Sequence, residues 1–184
     1  DVFDNSLAVV DFMKRSDKLV IASEVLIQHY EQAPFDFLVE DYAVNYPFMY
    51  AVDEQMDLAV FQQLAFFNDQ RTVNDWLLQL ELYGMETFGM LVKLNQAISN
   101  QFSYQTREEA GVQSPAQTLA LRSGSCRDYA TLFIEACRCL GLASRFVSGY
   151  LHAAATEAGN ATTHAWAEIY LPGAGWKGFD PTAG

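Results

Sequence analysis

Three residue types in this chain could together do chemistry at an amide: a cysteine at a helix start, a histidine in a strand, and an aspartate on the strand that follows it. The cysteine is Cys126, within Ser123-Gly124-Ser125-Cys126-Arg127-Asp128-Tyr129-Ala130. Tyr129, Phe133, Cys137 and Leu140 then recur at the spacing of one helix face. Ser125 reads as the N-cap, and Asp128 can return a carboxylate to the same end, as in a capping box. Cys126 therefore falls in the first turn, where unpaired N–H groups and the helix dipole favour a thiolate. Thiol attack on a carbonyl also needs a base for the proton and a group that orients the base. Of the three histidines, His29 lies in an N-terminal β region, His152 borders a loop, and His164 stands in a strand. Asp180 sits on the strand that returns beside it.

The elements that must bring these residues together are legible in outline. Over 163–171, His164, Trp166, Glu168 and Tyr170 face one way and Ala165, Ala167, Ile169 and Leu171 the other, a strand with one face covered. Residues 144–151 form the strand before it, 153–162 a loop of small residues, and 176–180 the strand after it. Pro172-Gly173-Ala174-Gly175 is the turn between the last two. Its length decides the fate of Asp180. A regular four-residue loop would pair Leu171 with Trp176 and Ala167 with Asp180; opposite residues share a face, so Asp180 would point away from His164. A three- or five-residue loop, or a bulge, is required. Pairing Leu171 with Gly175 would set Asp180 opposite Trp166 and diagonal to His164, on its face. Trp166 and Trp176 are expected to frame the substrate site or the sheet.

Upstream, Ser114-Pro115 starts a short helix that runs to Leu121. Residues 85–102 form a helix with Phe88, Leu91, Val92, Ile98 and Phe102 on one face, and Asn74 caps another that runs to Leu82. Residues 35–72 are aromatic and acidic without a dominant period, and 57–67 fit a strand or a short helix. They read as a connector packed over the core. Near the start, 7–13 and 17–30 read as strands. Helices followed by an antiparallel sheet make an α+β fold. Residues 85–184 are its core, and 1–84 are part of a β-rich N-terminal region with a connector. The chain reads as excised from something longer at both ends.

Bulk properties narrow the field. A chain of 184 residues, 51% hydrophobic and 14% aromatic, has material for a sizeable core. The net charge of −12 lies wholly in residues 1–110, with 6 basic against 18 acidic side chains; residues 111–184 hold 5 of each. An acidic chain with no basic stripe is not built for nucleic acid or an anionic membrane. No apolar run has the length of a membrane span, and no leader pattern is present. The three cysteines, Cys126, Cys137 and Cys139, cannot all pair, which fits a reducing cytoplasm. Cys137 and Cys139 are about 200° apart on a helix, so they cannot clamp one metal and read as packing residues. Arg127 and Asp128 read as an ion pair at the helix start.

Four blocks carry a family resemblance: Gly124-x-Cys126-Arg127-Asp128-Tyr129-Ala130, Gly141-Leu142-x-x-Arg145-Phe146-Val147-Ser148-Gly149-Tyr150, His164-Ala165-Trp166-x-Glu168, and Gly175-Trp176-x-x-x-Asp180-Pro181-Thr182. In that order they resemble the bacterial transglutaminase-like proteins, a group described as candidate cysteine proteases. The resemblance implies a papain-like core with Cys126 as nucleophile, His164 as base and later acid, and Asp180 as orienter. It also implies a thioester that water or an amine releases. The Cys126 amide at the helix end is a natural oxyanion donor. No cofactor and no metal are expected, since no acidic loop has calcium-ligand spacing. The expected partner is a peptide or protein amide, with hydrolysis ahead of crosslinking because transfer to an amine demands a second site that excludes water. The alternatives are a non-catalytic peptide-binding or assembly module, a zinc site on the same three residues, and an acyltransferase with a small thioester donor.

Overall fold

Helix α5 (Cys126–Cys139) is the element on which most others pack. The computed structural model describes residues 8–22, 36–150 and 163–184. The chain divides into two units, Asp1–Phe35 and Asp36–Gly184. In the first unit, residues 8–22 form neither helix nor strand. The strands expected over 7–13 and 17–30 are therefore not formed at 8–13 and 17–22, and their remaining residues lie outside the described ones. Among the described residues no strand pairs with 8–13 or 17–22. Alternation yields a strand only where a neighbour takes up its N–H and C=O groups, and here Val9, Val10, Leu19 and Ile21 are all exposed.

The second unit opens with α1 (Val52–Gln62) and α2 (Gln70–Leu78). The ambiguous 57–67 stretch thus resolves largely into helix, and α2 begins before Asn74. Next come α3 (Thr87–Gln101), β1 (Ser103–Tyr104), α4 (Pro115–Leu121) and β2 (Ser123–Gly124). Glu86 caps α3 by accepting from the Phe88 and Gly89 amides at 3.0 and 2.6 Å. Ser114 and Gln117 close a reciprocal capping box on α4. After α5 the chain forms β3 (Ser144–Tyr150), β4 (Thr163–Leu171) and β5 (Gly175–Phe179), an antiparallel sheet in the order β3-β4-β5. β1 and β2 pair separately and in parallel. The fold is α+β, as the order of elements requires.

The core lies between α5, α3 and the inner face of β4. Tyr129, Leu132, Phe133, Ala136 and Cys137 are buried against Met90, Leu91, Leu94 and Ile98, and against Ala167, Ile169 and Leu171. Each large apolar side chain so buried contributes about 1.5–3 kcal/mol. Chain direction then sets β3 beside α5. α5 runs about 20 Å, the chain turns at Gly141, and β3 returns alongside for about 23 Å. Ser144 stays near the helix's second half, its Oγ donating to the Ile134 carbonyl at 3.2 Å. Gly149 lies near the other end of β3. His164 pairs with Gly149, and β5 ends at the same edge of the sheet.

α5 carries two buried carboxylates that fix its neighbours. Asp128 Oδ2 accepts from the Ser125 amide and Ser125 Oγ, both at 2.8 Å. Its Oδ1 accepts from Arg107 Nη1 and the Gln113 amide, both at 2.7 Å. The ion pair expected between Arg127 and Asp128 is thus replaced by one with Arg107, because Arg127 extends outward to the carbonyls of Arg107 and Glu109. Glu135 accepts from the amides of Ala65 and Phe66 and from Arg138. Burial alone would raise the Asp128 pKa; the Gln113 and Ser125 amides, with Arg107 and Ser125 Oγ, outweigh it and hold the carboxyl below its ordinary value.

Asp128→Ala takes the buried carboxylate from the part-buried Arg107 and leaves the Ser125 and Gln113 amides without that acceptor, and should cost about 3–5 kcal/mol in urea unfolding. The sign of the pH dependence follows from the lowered folded pKa. Its stabilisation is complete above the unfolded carboxylate value near 3.9 and is lost as pH falls through the folded value. A melting series from about pH 6 to about pH 3 should show that acid loss, and Asp128→Asn should flatten it.

Candidate active site

The turn between β4 and β5 settles the position of Asp180. Leu171 pairs with Gly175 and Ala167 with Phe179, so the loop has three residues and Asp180 follows on the face of His164. The carboxylate is held twice. Oδ1 accepts from the Thr182 amide at 2.9 Å, the closure of an Asx turn over Pro181. Oδ2 lies 2.7 Å from His164 Nε2. The main-chain carbonyl of Asp180 accepts from Asn95 Nδ2 of α3 at 3.2 Å, which ties this corner to the helical layer. With an ionised carboxylate as acceptor, Nε2 carries the imidazole proton and Nδ1 is the acceptor that remains. The His164 side chain is 12% exposed and that of Asp180 26%.

Cys126 is the first residue of α5 and is buried. As such its N–H has no acceptor within the helix. The structure joins His164 to Asp180 by a hydrogen bond and forms none between Cys126 and either of them. The side chain beside the thiol is Tyr104, which the β1–β2 pairing sets opposite Gly124. Its pKa is raised by burial first, and then by its neighbour Cys126. Tyr104 and Arg107 were not readable as parts of this region, because both reach it from a segment some twenty residues upstream of Cys126. The only local signal was an aromatic just past the end of α3.

The two tryptophans separate. Trp166 lies beside His164 with ring centroids 6.3 Å apart and planes 27° apart. Trp176 pairs with Tyr170, about 20 Å along β4 from His164. It packs against Phe61 and Tyr170 and lies under Arg145, which also pairs with Glu168 at 2.7 Å. Trp176 frames the sheet and does not reach the site. Among the described residues no three of His, Cys, Asp and Glu gather as a metal would need, so the zinc alternative has no ligand set here. A cavity of about 240 Å³ lies away from these residues, lined by Thr72, Asp75, Trp76, Gln79, Phe102, Leu119 and Arg122.

Comparison with known proteins agrees with this architecture. The model of the transglutaminase-like superfamily matches residues 82–181. An uncharacterized protein of Mycobacterium tuberculosis is 34% identical over 105 residues, covering 50% of this chain and 32% of that protein. YebA of Bacillus subtilis, also uncharacterized, is 32% identical over 73 residues, covering 34% of this chain and 10% of that one. A candidate cysteine protease from Cytophaga hutchinsonii has the same fold, with a TM-score of 0.62 at 24% identity over 76% of this chain and 46% of that one. The periplasmic domain of TgpA from Pseudomonas aeruginosa gives 0.51 at 27% identity, covering 68% and 48%. This chain spans about a third of the mycobacterial relative and under half of either solved neighbour.

The cysteines differ in their surroundings. Burial pushes the Cys137 thiol well above its ordinary pKa and the Cys139 thiol up to about 11. Brief iodoacetamide treatment near about pH 7 should therefore modify Cys126 ahead of both, with Cys137 and Cys139 labelled only after denaturation. Peptide mass spectrometry reads the order, and equal labelling of all three in the native protein would count against a distinct Cys126.

Proposed function

The chain belongs to the transglutaminase-like superfamily, and from that premise we propose that it acts on a peptide or protein amide through a thioester on Cys126. The observation that carries the reading is the 2.7 Å bond between His164 and Asp180, the base and its orienter in this reading. Asp180 accepts a hydrogen bond from the Nε2–H and so keeps Nδ1 as the base toward the thiol. His164 Nδ1 takes the thiol proton, and the sulfur forms a bond to the carbonyl carbon as the carbonyl π pair moves onto oxygen. The unpaired N–H of Cys126 is aimed from the helix end at that oxyanion. Collapse breaks the C–N bond, and the imidazolium returns its proton to the departing amine. Water then attacks the thioester carbon as His164 takes its proton; collapse breaks the C–S bond, the imidazolium returns that proton to the sulfur, and the acid leaves. An amine in place of water would complete a transfer. Hydrolysis is the favoured outcome, because transfer needs a second site that keeps water out.

The test is activity profiling on a peptide library, read by mass spectrometry able to see both hydrolysis and amine transfer. Cys126→Ala and His164→Ala should lower turnover by about 10³-fold or more. Asp180→Asn should lower it by about 10²–10⁴-fold through loss of the required tautomer. Turnover that survives Cys126→Ala would remove the thioester. Binding without turnover in the wild type, unchanged in Cys126→Ala, would favour a peptide-binding module instead.

A further inference from the structure

Trp166 lies across the sheet in a space that exists because Gly149 has no side chain. A Cβ on Gly149 of β3 would stand 2.6 and 2.9 Å from the Cη2 and Cζ3 atoms of the indole, closer than real Cβ atoms approach. A Cβ on Gly178 of β5 would stand 3.6 Å from Cδ1 and Nε1, an ordinary contact. The benzo edge of the indole therefore rests on β3 and its pyrrole edge near β5. Gly149 is also the residue paired directly with His164. In an ordinary antiparallel pair the side chain at that position would be the cross-strand neighbour of the imidazole. Here the indole takes its place, close to parallel with the His164 ring.

The imidazole is thus held from two directions. Asp180 Oδ2 fixes one ring nitrogen, and the indole forms a wall along the ring's flank. A single hydrogen bond leaves a ring free to tilt about it, whereas a flat neighbour at stacking distance restricts the tilt. A ring this constrained presents Nδ1 in one direction, and reactivity is sensitive to about 1 Å of misplacement.

We propose that Trp166, seated on the bare backbone of Gly149, is a positioning residue that sets the direction in which His164 presents its free nitrogen. The proposal rests on His164 being the base of the thiol reaction. It assigns Gly149 a requirement independent of turn formation, since the contact is with a ring and the backbone there is ordinary strand.

The deciding set is Gly149→Ala, Gly178→Ala, Trp166→Phe and the double variant Gly149→Ala/Trp166→Phe, all in the full chain. Gly149→Ala should reduce kcat by about 10–100-fold, with KM changed by less than about three-fold. Gly178→Ala, which meets only an ordinary contact, should stay within about two-fold of wild type. The double variant should recover most of the loss, because the shorter phenyl ring vacates the space over the new methyl. A second readout needs no substrate. The proton on His164 Nε2, bonded to Asp180, should give a resolved downfield NMR resonance that Gly149→Ala broadens and the double variant restores. If Gly149→Ala keeps wild-type kcat and an unchanged resonance, the proposal fails. It also fails if Gly149→Ala loses activity and the double variant recovers neither kcat nor the resonance. If no variant and no wild type turns over any peptide, the proposed reaction fails while the resonance still decides the role of Trp166. Should Gly149→Ala not fold, Trp166→Ala, which removes the ring altogether, decides alone: an unchanged resonance and kcat overturn the role.

Discussion

The register between β4 and β5 is the constraint on which the proposed site depends. Side chains alternate along a strand, so a slip of one residue would carry Asp180 to the core face and Phe179 out of the core. The turn prevents that slip by local chemistry. The Ala174 amide donates to the Leu171 carbonyl at 3.0 Å, with Pro172 and then Gly173 at the two central positions. Gly173 has φ 82°, the left-handed backbone that a type II turn needs at its second central residue. The tip is also pinned from outside. The Glu40 amide donates to the Pro172 carbonyl at 2.9 Å, and a Cβ on Gly173 would meet Glu40 N and Leu38 O at 3.1 Å. The segment at 38–40 thus selects glycine twice over, by backbone angle and by space.

The helical side of the site depends on a different interaction, the placement of carboxylates inside the protein. A buried charge is tolerated only when its lone pairs are filled, and Asp128 and Glu135 fill theirs largely with backbone amides. Those amides belong to stretches outside regular structure: Gln113 before α4, Ser125 at the cap of α5, and Ala65 and Phe66 between α1 and α2. Irregular backbone beneath a surface must find partners for its N–H groups. α5 supplies them, and so holds its connectors as firmly as hydrogen-bonded elements hold each other. Cys126 sits one residue after the Ser125 amide that Asp128 grips.

How much of this was legible depended on the range of the interaction. The Ser125–Asp128 return is separated by three residues and could be read from spacing. The β4 alternation and the pairing rule between faces were equally local, and together they reduced the fate of Asp180 to the length of one turn. Arg107 as the partner of Asp128, Glu135 as the acceptor for Ala65 and Phe66, and Tyr104 beside Cys126 all join segments far apart in sequence, where no period or cap gives notice. α1 was ambiguous for another reason: Val52, Met56 and Val60 are exposed and Leu58 alone is buried, so its apolar residues do not mark one face. The strands read into 7–13 and 17–30 show the converse failure over their described parts, 8–13 and 17–22, where alternation is present but no strand among the described residues pairs with them.

Cys126 belongs to the helical layer and the His164–Asp180 pair to the sheet, so their relation is a property of the packing between the two. Phe133 of α5 stacks on Phe179 of β5 with centroids 5.6 Å apart and planes 25° apart. Phe179 immediately precedes Asp180, and Phe133 lies two turns along the helix from Cys126. Fully buried Ala167, Ile169 and Leu171 complete the contact on β4. Close-packed interiors transmit displacement, because few voids are available to absorb it. The helix can slide along its axis only by displacing this contact, and any such slide would move the thiol relative to the imidazole by the same amount. Asn95 limits motion at the other end of the same contact by bonding the Asp180 carbonyl from α3. The small residues at 165 and 167, both buried, let α5 approach the sheet.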